Sequence, residues 1–193
     1  MGEGDDDTAC ALVLGFGPFG EVVDNPSSKL AEALDGQQAA GLRIVGRTMP
    51  VSYRRCLETT ATAIATHRPK MVLGVGVAVR RSQPMLERWG RAQVAASPLD
   101  VDGRRADWRA HPHHRRPARL PLAAMAAASG LALSDDCGTY VCNGWLYAVL
   151  GMLPTGVSAG FLHIPSAGVP PMVVLRALAA ATPSTVQNDR LKE

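Results

Sequence analysis

Apolar residues fall along this chain in two rhythms: short continuous runs, and longer stretches where they return every three or four positions. Thr8 to Leu14, "TACALVL", is a continuous run and predicts a short buried strand. The glycines and prolines of "GFGPFGEVVDNP" then stop any regular element. Ser27 is placed to cap a helix, "SSKLAEALDG", that Gly36 ends. "RIVGRTMP" predicts a second strand, closed by Pro50, and Ser52 starts a longer helix, "SYRRCLETTATAIATHRP", ending before Pro69. "KMVLGVGVAV" is apolar on both faces, which suits a central, parallel strand.

Between residues 80 and 119 the rhythm fades and most of the Arg and His collect. A strand around "RAQVAAS" is plausible, and "DGRRADWRAHPHHRRPAR" reads as an exposed basic loop. Regular patterning then resumes. "LPLAAMAAASG" predicts a helix, "LALS" a strand, "TYVCNGWLYAVLGML" a helix, "SAGFLHIP" a strand and "PPMVVLRALAAATP" a last helix. Strands alternating with helices predict an α/β fold with a mostly parallel sheet covered on both faces. In such sheets the reactive site lies beyond the carboxyl ends of the strands.

Composition narrows this only slightly. At 193 residues the chain is most simply one domain, long enough to bury a core without staples. A net charge of +3 is too small to point to nucleic acid or a membrane surface. Met1 to Asp7 is an acidic, flexible tail unlike a targeting signal, and no apolar run approaches the ~20 residues that span a bilayer. A cytoplasmic location is expected. Cys10, Cys56, Cys137 and Cys142 show no C-x-x-C spacing, so neither a disulfide scaffold nor a structural zinc site is expected. Cys10 and Cys56 read as buried or idle thiols.

Cys142 has a more particular address. With Thr139 as N-cap it lies in the first turn of a helix whose apolar face is Val141, Trp145, Ala148, Val149 and Met152, widened by Leu146, Leu150 and Leu153. Unpaired N–H groups there favour an anion, lower a thiol's pKa from ~8.5 toward 7, and can hold a developing oxyanion. Alone, Cys142 reads more readily as a core thiol, since buried free Cys is common. His163, at the carboxyl end of "SAGFLHIP", changes the balance, because Cys and His at one rim form a nucleophile and its base. A third group should orient the imidazole. Glu87 follows the central strand by a loop, although Glu beside Arg88 also reads as a solvated charge pair.

These segments resemble the pyroglutamyl peptidase type I family, intracellular cysteine peptidases that remove an N-terminal pyroglutamate. The family's G-F-x-P-F-G and N-P-S are matched by Gly15 to Gly20 and Asn25 to Ser27. Its A-G-T-[FY]-[VL]-C-N is matched by "CGTYVCN", and its A-G-F-[IL]-H-[VI]-P by "AGFLHIP". "GVAVRRSQPMLER" has the length of the family's G-L-A-G-G-R-x-x-[IL]-x-[IL]-E-R, and "MPVSY" echoes its V-P-V-x-Y. The resemblance implies a single-domain three-layer α/β/α sandwich over residues 1–193. It implies Cys142 as nucleophile, His163 as proton shuttle and Glu87 as its orienter. It also implies a lactam pocket walled by Phe16, Phe19, Tyr140 and Val141, peptide substrates with a blocked N-terminus, and neither cofactor nor metal.

The pocket wall departs from that pattern. Ser97 and Ala92 stand where the family has Arg and Asn, Val79-Arg80 replaces a Gly pair, and Cys137 replaces a small residue. Losing a polar pocket partner can cost orders of magnitude. A weak or inactive homologue that binds N-blocked peptides, or cleaves a different blocked N-terminus, is therefore the alternative. "GFGPFG" also fits G-x-G-x-x-G, but Asn25-Pro26 stunts the helix a dinucleotide site needs, and "RTMP" brings no acidic residue for a ribose. His111, His113 and His114 lack ligand spacing and read as part of a basic loop at 103–119, solvated, over the site, or at an oligomer contact. Homo-oligomerisation stays open.

Overall fold

The computed structural model describes residues 9–92, 99–106 and 114–182. Its elements run β1 (Cys10–Phe16), α1 (Pro26–Leu34), β2 (Gln38–Ala39), β3 (Leu42–Met49), α2 (Arg55–His67), β4 (Met71–Val77), β5 (Met85–Glu87), β6 (Trp89–Arg91), β7 (Arg115–Pro117), α3 (Leu122–Ser129), β8 (Ala132–Ser134), α4 (Val141–Met152), β9 (Ser158–Ile164) and α5 (Pro171–Ala181). Seven strands form one sheet in the order β2-β3-β1-β4-β9-β5-β8. The pairs β1–β3, β1–β4, β4–β9 and β5–β8 are parallel, whereas β2 on β3 and β5 on β9 are antiparallel.

Both faces of the sheet are covered, which is why every residue of β1 and β4 is buried. Alternate residues go to opposite layers. Ala11, Val13, Leu73, Val75, Leu162 and Ile164 pack with α1, α3 and α5. Leu12, Leu14, Phe16, Val72 and Phe161 pack with α2 and α4. The architecture is the expected α/β/α sandwich with a mostly parallel sheet.

Several local expectations are corrected. The cap of α1 is Asn25, whose Oδ1 accepts the Ser27 N–H at 2.9 Å. Pro26 starts that helix because it lacks the N–H a first-turn residue has no use for. Helix α2 begins at Arg55, and Ser52 instead accepts the Arg55 N–H at 3.1 Å. Met152 is 47% exposed and leaves the buried face of α4. The strand expected around 91–97 ends at Arg91, and 93–98 lie outside the described residues. Part of the basic loop is a strand: β7 pairs antiparallel with β6. Arg115 lies 3.9 Å over Trp89, and Arg116 4.0 Å over Tyr147. His111 and His113 are outside the described residues, and His114 Nδ1 is 2.7 Å from Tyr147 Oη.

Candidate active site

The site is founded on two glycines. A Cβ on Gly74 of β4 would stand 2.4 Å from the Trp145 ring, and one on Gly76 would stand 2.9 Å from Cys142 Sγ. Their absent side chains let α4 lie close on the sheet, with Trp145 and Cys142, three positions apart, on its sheet-facing side. Gly90 admits the same helix on β6, since a Cβ there would meet Tyr147 N at 2.6 Å. Buried Asn143 joins α4 to β6 like an added strand residue: Oδ1 accepts the Arg91 N–H at 2.8 Å and Nδ2 donates to Arg91 O at 3.0 Å. Trp145 Nε1 donates to Thr60 Oγ1 at 2.8 Å and ties α4 to α2.

Strand β9 places His163 beside this seat. Gly76 pairs with His163 and Gly74 with Phe161, so Phe161 and His163 share the face on which α4 rests. Their rings lie 4.9 Å apart. Beyond β9, β5 runs in the opposite direction, with Met85 opposite His163. Glu87 thereby lies on a strand rather than in a loop, fully buried, with Oε1 2.7 Å from His163 Nδ1. Its neighbour Arg88 pairs with Asp135 instead. An ionised carboxylate only accepts, so His163 Nδ1 carries the hydrogen and Nε2 of the neutral ring keeps its lone pair.

Arg81 braces the carboxylate. It donates to Glu87 Oε1, to Ser134 Oγ at 3.1 Å and to Asp136 O. Burial disfavours the Glu87 charge, but the His163 hydrogen bond and charge, the Ser134 hydroxyl and Arg81 outweigh it, and the net shift is downward. Arg81 stands in the quoted Glu87 motif but had no role; an Arg six residues before a buried Glu was the available signal. Cys137, noted in the sequence only as a replacement of a small residue, touches the same group. It is 3% exposed, and its Sγ, a His163 ring nitrogen and a Glu87 oxygen all lie within 4.8 Å of one another.

Cys142 is partly exposed at the start of α4. The N-cap is Tyr140 rather than Thr139, and no side chain caps the helix. The expected drop in thiol pKa is not found. Burial pushes Cys142 up to about 12, against the pull of its own backbone N–H. A helix end contributes a fraction of a charge, and desolvation of the thiolate costs more. No hydrogen bond joins Cys142 to His163 among the described residues; the sulfur lies over Gly76, one strand away.

The expected pocket residues divide. Phe16 ends β1 and is core, 1% exposed, with its ring 6.3 Å from Phe161. Val141 is fully buried, so its backbone alone is available to a ligand. Phe19 and Tyr140 are partly buried. Tyr140 Oη donates to Leu99 O at 2.9 Å, and its ring meets Tyr53 edge-on at 6.0 Å. Ala92 is 2% exposed, and Ser97 lies outside the described residues.

A model of the pyroglutamyl peptidase family matches residues 10–192. The chain belongs to this family. It is 34% identical to the pyrrolidone-carboxylate peptidase of Mycobacterium marinum, over 87% of this chain and 86% of that protein. It is 33% identical to the pyrrolidone-carboxylate peptidase of Cupriavidus taiwanensis, over 80% and 77%. The fold matches pyroglutamyl peptidase I from Bacillus amyloliquefaciens with a TM-score of 0.79 at 24% identity, covering 90% of this chain and 92% of that one. It matches pyrrolidone carboxyl peptidase from Thermococcus litoralis at 0.78 and 24%, covering 90% and 91%.

Proposed function

We propose that this pyroglutamyl peptidase family member is a cysteine peptidase hydrolysing the amide bond after an N-terminal pyroglutamyl residue. The observation that carries this is the buried Glu87–His163 pair at 2.7 Å, on the strand beside the glycine under Cys142 Sγ. Cys142 Sγ attacks the pyroglutamyl carbonyl and its proton passes to His163 Nε2. Because the thiol is held up to about 12, proton transfer accompanies attack rather than preceding it as a standing ion pair. Glu87 fixes the imidazole and balances its positive charge. The tetrahedral oxyanion is received by backbone N–H groups at the start of α4, where no side chain competes. His163 then protonates the departing amine, and a water attacks the acyl-enzyme with His163 again as base.

The lactam ring is small and uncharged, so apolar walls with a few amide partners suit it. Phe19 and Tyr140 form those walls, Phe16 backs them from the core, and Val141 offers main chain. The functional unit is one domain spanning 1–193, with 1–7 an acidic tail. Four free thiols suit a reducing cytoplasm, and no described helix is long and apolar enough to cross a membrane. The second reading, a homologue that binds blocked N-termini with little turnover, draws on Ala92, buried and apolar where the family has Asn, and on the lack of a hydrogen bond between Cys142 and His163. Turnover of a fluorogenic pyroglutamyl amide decides. Wild type should cleave it, and Cys142→Ser and His163→Ala should lose at least ~10³-fold with unchanged circular dichroism. Absent wild-type turnover with retained binding of the amide favours the second reading.

A further inference from the structure

Cys137 has no part in the reaction above, yet it is seated against the residues that do. Three donors from three separate segments converge here: Glu87 from β5, His163 from β9 and Cys137 from the turn before α4. All three are buried, at 0%, 5% and 3% exposure. Glu87 adds a second observation. Its Oε1 is occupied by His163 and Arg81, whereas Oε2 is buried and, apart from the weak pull of the Ser134 hydroxyl that Arg81 and Asp136 O also engage, has no hydrogen-bond partner among the described residues. A buried carboxylate oxygen without a donor has a lone pair to offer and gains from receiving a cation.

We propose that Glu87, Cys137 and His163 form a binding site for a single Zn²⁺ ion that reversibly silences the peptidase. The donor set is one thiolate sulfur, one imidazole nitrogen and one carboxylate oxygen, with a fourth position left to water; this set suits zinc and excludes the hard, all-oxygen ions. The carboxylate and the thiolate offset the two charges of the ion, and Arg81, still on Oε1, leaves the site with one net positive charge. The donor atoms, within 4.8 Å of one another, close by small side-chain shifts to the ~3.5 Å spacing of a tetrahedral site. Binding exchanges the Cys137 thiol proton for the metal, and that proton passes to solvent; the imidazole stays neutral, its hydrogen remaining on Nδ1 when Nε2 ligates and moving to Nε2 when Nδ1 does, so neither tautomer leaves a free lone pair. Silencing, as distinct from binding, rests on the reading of His163 as base, because a metal-held imidazole cannot take the Cys142 proton.

The two parts separate experimentally. Zn²⁺ affinity is measured on the metal-free, reduced full chain by competition with a chromophoric chelator, and Co²⁺ serves as the spectroscopic probe. Wild type should bind one ion per chain, and the cobalt form should show thiolate-to-metal charge transfer in the near ultraviolet. Cys137→Ala should weaken binding at least ~10-fold and abolish that band. Cys142→Ala should keep affinity within ~3-fold, since Cys142 is not a ligand. In turnover assays Zn²⁺ should inhibit wild type, a chelator should restore it, and Cys137→Ala should resist inhibition. Equal affinity in wild type and Cys137→Ala, loss of binding in Cys142→Ala, or no binding by wild type would overturn the site. One ion bound with the expected variant pattern but no effect on turnover would leave the site standing and sink the silencing.

Discussion

Helices α1 and α4 both begin near a buried asparagine, and the two asparagines do opposite things. At α1, Asn25 is the cap: Oδ1 takes the Ser27 N–H, and Pro26 removes one donor outright. At α4, the side chain of Asn143 turns away and spends both its amide groups on the Arg91 backbone. The N-cap there is Tyr140, which caps nothing. One helix end is closed and serves the fold. The other has no side-chain cap, at the point where Cys142 enters.

The comparison breaks most sharply if the open end is closed. Tyr140 has extended backbone, φ −107° and ψ −163°, that suits a capping side chain. Tyr140→Asp should therefore stabilise the protein by up to ~1 kcal/mol while cutting kcat by ~10²-fold, because its carboxylate takes the N–H groups proposed above to receive the oxyanion. Tyr140→Phe, which loses only the bond to Leu99 O, separates this from loss of the ring. If Tyr140→Asp keeps full kcat, the start of α4 does not receive the oxyanion.

Lifting the open end off its seat comes next. In Gly76→Ala the new methyl would stand 2.9 Å from both Cys142 Sγ and the Phe161 ring. Displacing the sulfur by about an ångström should lower kcat by ~10²-fold with KM little changed. Wild-type kinetics in that variant would show that the sulfur's position over β4 is not the one used.

At the closed end the effect moves to stability. Asn25→Ala loses the α1 cap and the 2.7 Å bond to Gly17 O, costing about 2 kcal/mol in denaturant unfolding with kcat/KM unchanged. A comparable loss in kcat/KM would mean that the two helix starts are coupled.

The smallest effect is graded with pH. Cys142 is raised to about 12, so its alkylation by iodoacetamide, followed by peptide mass mapping, should climb from pH 7 to 10 without a plateau. A plateau near neutrality would reveal a standing thiolate. Burial also raises Cys56 and Cys137. The unfolded chain releases those protons first, so stability is constant below the ordinary thiol range and falls as pH rises through it.

The sequence carried the parallel part of this molecule and lost the reversed part. Strands β1, β4 and β9 stand out as continuous apolar runs cut by Gly or Pro, and their carboxyl ends led to His163. Strand β5 is three residues long and antiparallel to β9, too short to show a period, so pattern alone left Glu87 divided between orienting His163 and a solvated pair with Arg88, and the family motif decided between them. The β6–β7 ribbon was hidden for a related reason: its strands are held by arginines over aromatic rings instead of an apolar face. The pKa of Cys142 was misjudged because the helix end is visible in sequence and the depth of burial is not. Cys137 stood out as a departure from the family pattern near the site, but its partners did not, since they come from strands far away along the chain.

Strand β5 touches β9 through only two registered pairs, and side chains on a strand alternate between faces. Adding or removing one residue between Val77 and Met85 would swing the Glu87 carboxylate through the sheet into the layer of α1, α3 and α5, out of reach of the imidazole. The connection from β4 to β5 is therefore a ruler: its spelling can drift at positions such as Val79 and Arg80 but not at Arg81, whose guanidinium holds the carboxylate, and its count is not free at all.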